Sequence, residues 1–253
     1  MLGILLLFLF LLLLSWTWAQ VSEDADQDSI GLTEILSTTG IEWGAILTLT
    51  LGQIRGVERF WEAPPLSAGI ISARQIPIVF VPSLHTGSGI FKILIWRLQK
   101  HFFTSLWPFS WRSFLKSNDL LEDQLLKFIQ DVLKTTRSSQ VRVVSFGTSR
   151  PVISRVLAHP SLSDYQKKWI AISAPKTLSR TLKFLSSVRL KSVFQNDFRI
   201  GQEPNLLIRG SHDVFCYPKD VWGETQSITI SPVGHYSVLL HPATVQRTLD
   251  ELS

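Results

Sequence analysis

The sequence has a single cysteine, Cys216, so an intrachain disulfide and a multi-cysteine zinc site are both excluded. Charge is scarce, at 18% of residues against 45% apolar, which excludes a disordered tail protein and leaves ample material for a core. Collagen, coiled coil and multi-span membrane protein are excluded by pattern, and no internal repeat or low-complexity segment follows the first residues. Lys and Arg are absent ahead of residue 29, where Glu23, Asp24, Asp26 and Asp28 cluster. The formal charge of the whole is +5, from 25 basic and 20 acidic residues, so the remainder is more basic than the total suggests. Those basic residues are dispersed and no RNA- or DNA-reading motif accompanies them, so nucleic acid is not an expected partner.

What is present begins with an unbroken apolar run, Leu2 to Leu14, extended by Ser15 to Gln20. It suits the apolar region of a signal peptide, about 7–15 residues, and counted to Ala19 it approaches the roughly 17-residue lower limit of a membrane-spanning helix. Residues 1–19 therefore read as a signal peptide or membrane anchor, with Thr17 and Ala19 as a loose cleavage site. The acids that follow, and the missing basic flank, place the body outside the cytoplasm, in the periplasm if the source is a Gram-negative bacterium.

Residues 20–75 read as a linker and a helical segment. Thr33 to Trp61 looks helical, and its apolar stretch Ile41–Leu51 contains Glu42 and is too short to span a bilayer. It fits an amphipathic helix lying on the domain or on a membrane surface. Pro64 and Pro65 close the segment, since proline cannot continue a helix.

From residue 76 to 253 short apolar runs alternate with helical stripes. Ile78–Val81, Val141–Phe146, Trp169–Ile172, Asn205–Ile208 and Ser227–Ile230 read as strands buried on both faces, and Phe102–Trp107 as a further one. Leu121, Leu125, Phe128 and Val132 form a helical stripe with Ser117 or Asn118 as cap, and Thr244–Leu252 is a final helix. Strand–helix alternation implies an α/β fold, with a mostly parallel central sheet flanked by helices and an N-terminal hydrophobic helix ahead of it. Trp96, Trp107 and Trp111 suit either an interfacial belt or the core.

In open parallel sheets ligands bind beyond the carboxyl ends of the strands. After the 141–146 strand comes Gly147-Thr148-Ser149-Arg150-Pro151. A small residue, one spacer and a serine between strand and helix have the shape of a nucleophile elbow, whose sharp turn projects the hydroxyl outward. The N–H of Arg150, at the helix start, would stabilise an oxyanion. Pro151 is tolerable in a first helical turn. The plainer reading is a strand–turn–helix capped by Ser149. After the 205–208 strand comes Arg209-Gly210-Ser211-His212-Asp213, where Asp213 either orients a histidine or makes an Asx-turn, and His212 points to the surface. After the 227–230 strand, Gly234-His235 offers a general base or a structural histidine. His85, His101, His159 and His241 read as structural.

Ser149, Asp213 and His235 thus follow three separate strands in the order serine, acid, histidine. With Val79-Phe80-Val81, Gly89, Phe91, Leu94 and Leu98 ahead, and Leu239, Leu240 and Pro242 behind, Ile76 to Glu251 resembles the α/β-hydrolase superfamily, nearest its bacterial lipase/esterase branch. The motifs are degenerate. Pro82-Ser83 stands where the family has His-Gly, and Pro151 where the elbow has its second glycine. The resemblance implies a carboxylic ester hydrolase at or near a membrane, with Ser149 as nucleophile, His235 as base and Asp213 orienting it. The backbone N–H groups of Arg150 and Leu84 would form the oxyanion hole. It implies no cofactor and no metal, and an ester or lipid as substrate. A second alignment slides the elbow by two residues and puts Gly147 on the nucleophile, which would make the chain a catalytically inactive, membrane-associated binding module. The first alignment keeps Gly147 and Ser149 at the family spacing. The interval from Ser173 to Pro204, basic from Lys176 to Arg199, occupies the place of the family's lid and suits either anionic headgroups or plain solvent.

Overall fold

A strand rich in Val, Ile and Phe, with no polar alternation, has two faces to bury and needs helices above and below it. The computed structural model describes residues 32–53, 76–84, 86–101, 103–111, 118–175, 201–213 and 225–252. The apolar run Leu2–Leu14, the 20–31 linker, Pro64-Pro65 and the basic interval Lys176 to Arg199 lie outside them, as does His85.

Helix α1 spans Leu32–Gln53. Strand β1 (Ile78–Val81) is followed by a 3-10 turn (Ser88–Phe91) and α2 (Lys92–Lys100). Then come β2 (Leu106–Pro108), α3 (Asn118–Thr136), β3 (Gln140–Phe146), a 3-10 turn (Gly147–Ser149) and α4 (Arg150–Leu157). Strands β4 (Gln166–Ile172), β5 (Leu206–Gly210) and β6 (Gln226–Ile230) precede α5 (Ser237–Leu240) and α6 (Pro242–Leu252). The strands form one sheet in the order β2-β1-β3-β4-β5-β6, parallel at every pairing. This is the expected α/β architecture.

Side-chain alternation splits the core in two. Val79, Val81, Val143, Trp169, Ala171 and Leu207 face α3 and α4, meeting Leu121, Leu125, Ile129, Val152 and Ile153. Ile78, Phe80, Val144, Phe146, Ile170 and Ile208 face the other way, onto Leu94 and Leu98 of α2 and Val238, Val245 and Leu249 of α5 and α6. Of the stripe expected at Leu121, Leu125, Phe128 and Val132, three residues are buried and Phe128 is half-buried against the same cluster.

One reading needs correcting. The strand expected at Phe102–Trp107 is only Leu106–Pro108, because its pairing with β1 begins where Leu106 meets Ile78. The helix expected from Thr33 to Trp61 is present as Leu32–Gln53, and its continuation from 54 to 61 lies outside the described residues. No helix among the described residues is long and apolar enough to cross a membrane. The three tryptophans differ in burial. Trp107 and Trp111 pack against the core, and the Trp111 ring N–H donates to the Pro82 carbonyl at 3.0 Å. Trp96 is exposed, with the Lys100 ammonium 3.7 Å from its ring centre.

Candidate active site

Parallel pairing brings the carboxyl ends of all six strands to one rim, so residues just past β1, β3, β4, β5 and β6 converge there. Asp213, three residues beyond β5, and His235, five beyond β6, meet at that rim. The His235 ring nitrogen Nδ1 lies 2.9 Å from Asp213 Oδ1, and both residues are buried. A carboxylate on Nδ1 fixes the ring orientation and leaves Nε2 to face whatever lies opposite. The ring is packed on Phe146, centroids 4.9 Å apart, and edge-on to Tyr236 at 5.0 Å.

What lies opposite is Gly147. This first residue after β3 has φ +68°, a conformation natural to glycine and strained for other residues. A Cβ placed on it would lie 3.8 Å from His235 Nε2. Ser149 does not join the pair. It has helical backbone angles at the start of α4, is wholly buried, and its hydroxyl donates to the Phe146 carbonyl at 3.2 Å. A serine one turn into a strand–helix junction folds its hydroxyl back on the strand end, whereas the residue at the positive φ projects over the rim.

The two residues expected to line an oxyanion hole are placed as follows. Leu84 is buried in the core on the α3–α4 face of the sheet. Arg150 opens α4 with its guanidinium buried and paired to Glu203. Beside Gly147 the backbone N–H of Thr148 donates to Ser83 Oγ at 3.2 Å, and the Ser83 and Thr148 hydroxyls are 2.7 Å apart. His212 is half-buried against the Ser211 hydroxyl at 2.8 Å and is not a surface residue. His159 and His241 each accept a backbone N–H two residues on, from Ser161 and Ala243, so both are turn-forming residues. Among the described residues no cluster of His, Cys, Asp and Glu could hold a metal ion.

Glu42 is a residue that sequence reasoning left unassigned. Its carboxylate accepts the backbone N–H of Tyr236 at 2.5 Å and of Ser237 at 2.9 Å, clasping the loop that carries His235 from α1. A Cβ on Gly234 would stand 2.7 Å from Glu42 Oε2, so the glycine beside His235 makes room for this carboxylate. The signal for it was a lone acid within the apolar stretch Ile41–Leu51. Burial, with the nearby carboxylates of Glu42 and Asp213 adding to it, pushes the Tyr236 phenol above its ordinary range. Glu42→Ala removes a charged acceptor from two amides, so unfolding free energy should fall by about 1.5–3 kcal/mol. Hydrogen exchange at Tyr236 and Ser237 should quicken with it. Unchanged protection of both amides in the variant would show that the clasp is not holding the loop.

No family model matches this chain, and no curated protein sequence matches it. Solved structures do. Lipase B of Aspergillus fumigatus is similar over 74% of this chain and 55% of its own, with 16% identity and a TM-score of 0.57, so the chain spans little more than half of that enzyme. An esterase of a marine microorganism is similar over 70% of this chain and 95% of its own, with 12% identity and a TM-score of 0.51. The type II thioesterase BorB of the borrelidin biosynthetic cluster is similar over 71% and 92%, with 14% identity and a TM-score of 0.51. The parallel sheet, the rim and these likenesses agree: the chain has the α/β-hydrolase fold.

Proposed function

We propose that this chain is a catalytically silent member of that fold, a binding module for an ester- or acyl-bearing ligand in which the nucleophile's place is held by Gly147. One observation carries the reading. The sharply turned residue nearest the Asp213-paired imidazole has φ +68° and no side chain, while the hydroxyl of Ser149 is turned to the Phe146 carbonyl. Without a nucleophile an acid–histidine pair can polarise and hold a ligand, but it cannot form the covalent intermediate that divides ester hydrolysis into two easier steps. The lipase, esterase and thioesterase among the similar structures support an acyl-bearing ligand. A membrane placement outside the cytoplasm, expected from Leu2–Leu14, belongs to the same proposal.

The intact Asp213–His235 contact favours a second reading. In it Ser149 attacks the ester carbonyl and His235 carries the proton to the leaving alcohol. Asp213 stabilises the imidazolium, and the N–H groups of Arg150 and Leu84 hold the oxyanion. A fluorophosphonate probe, read by intact mass on the folded protein, separates the two. The unmodified chain should form no adduct and should hydrolyse 4-nitrophenyl esters at the buffer rate. An adduct that disappears in Ser149→Ala would overturn the silent reading in favour of the enzyme.

A further inference from the structure

Ser83 lies level with Gly147 across the β1–β3 pairing, two residues beyond the matched pair Val81 and Ser145. In the family pattern that position is a glycine; here it carries a hydroxymethyl group, and the group is placed where it does two things. It fills space: a Cβ on Gly147 would stand 2.9 Å from both Ser83 Cβ and Ser83 Oγ, closer than carbon atoms approach. The hydroxyl can rotate away, but the β-carbon is fixed to the backbone. It also engages a donor: the N–H of Thr148, the residue after the elbow, already bonds Ser83 Oγ, and the Thr148 hydroxyl is engaged with the same atom. The N–H after the elbow is the one that would face a developing oxyanion.

From this, and resting on the reading that Gly147 holds the nucleophile's place, we infer that Ser83 is a lock on a latent hydrolytic centre. Ser83 and Gly147 are a matched pair, and the Asp213–His235 dyad becomes catalytic only when both are exchanged. Gly147→Ser alone puts its side chain into Ser83. With Ser83→Gly the space opens, the Thr148 amide is released, and a hydroxyl one bond beyond the new Cβ comes within hydrogen-bond reach of His235 Nε2, about 2.6–3.2 Å. Toward a fluorophosphonate the step balances: the introduced oxygen bonds phosphorus, the phosphorus–fluorine bond breaks, fluoride leaves, and the hydroxyl proton passes to His235 Nε2.

The experiment compares the unmodified chain, S83G, G147S and S83G/G147S, each shown to be folded by circular dichroism. Each is treated with a fluorophosphonate and assayed with 4-nitrophenyl butyrate. Only the paired variant should take up one probe, mapped to position 147, and its esterase rate should exceed either single variant by about 100-fold, the lower end of what a positioned general base contributes. Labelling of the unmodified chain at Ser149 overturns the silent reading itself. An unlabelled parent with G147S labelled as fully as the pair overturns the lock alone, as does a folded pair that takes up no probe. Should the pair fail to fold, G147A with and without S83G answers by melting temperature: a smaller loss in the S83G background supports the lock, and equal losses overturn it.

Discussion

Gly210→Ala should be among the most damaging single substitutions in this chain, lowering stability by about 3 kcal/mol, the upper part of the range for overpacking. Gly210 is the last residue of β5, and a Cβ there would lie 2.2 Å from the Val233 carbonyl oxygen and 2.6 Å from that of Gly234. Both are main-chain atoms of the loop that carries His235, so no rotamer change relieves the clash. Either β5 bends or the loop retreats. Retreat breaks the bonds from Ser211 N to the Ile230 carbonyl at 2.9 Å and from His212 N to the Val233 carbonyl at 3.0 Å. It also draws His235 away from Asp213. For a domain of this size that loss corresponds to a melting temperature lower by roughly 6–12 °C. Calorimetry checks the magnitude, and hydrogen exchange at residues 211–213 and 233–237 checks the location. A variant that melts within 2 °C of the parent (roughly 0.5–1 kcal/mol) would mean the loop gives way freely and does not register the histidine.

The second large effect lies at the centre of the sheet. Trp169 on β4 is fully buried and faces α3 and α4. Its ring N–H donates to Ser145 Oγ on the neighbouring β3 at 2.8 Å, and its backbone N–H is met by the Asn205 side chain at 2.8 Å. Trp169→Ala removes a large packed ring, at about 3–5 kcal/mol, and leaves the buried Ser145 hydroxyl unpaired at a further cost of about 1–3 kcal/mol. Trp169→Phe separates the two contributions, since it keeps most of the volume and loses only the hydrogen bond. Urea denaturation should place the alanine variant at or beyond the edge of folding and the phenylalanine variant about 1–3 kcal/mol below the parent. Equal losses in the two variants would show that packing at this position carries nothing beyond the hydrogen bond.

How much was legible beforehand follows from what each feature depends on. Ile78–Val81 and Val141–Phe146 were readable as strands because burial on both faces leaves an unalternating β-branched run. Asp213 and His235 were readable as rim residues because a parallel sheet sends every strand's carboxyl end to one edge. Which residue takes the positive φ after β3 was not legible. Gly147-Thr148-Ser149 admits two alignments, and residue types alone favoured the serine. The turn falls where strand pairing ends, with Phe146 the last residue matched to β4, so the positive φ lands on the next residue and Ser149 is carried into α4. Glu42 was hidden for a related reason: its partners Tyr236 and Ser237 are nearly two hundred positions away, and local pattern holds no information about which loop a helix will meet.

Composition and periodicity by themselves determined an α/β chain with a parallel sheet, its two buried faces, and the loops on which an acid and a histidine would stand, because those depend on hydrophobic burial repeated along short segments. Only the tertiary structure decided which residue faces the imidazole, and that Ser83 fills the space beside it. Those contacts depend on strand register to within a single residue, where a shift of two positions exchanges a hydroxyl for a hydrogen atom.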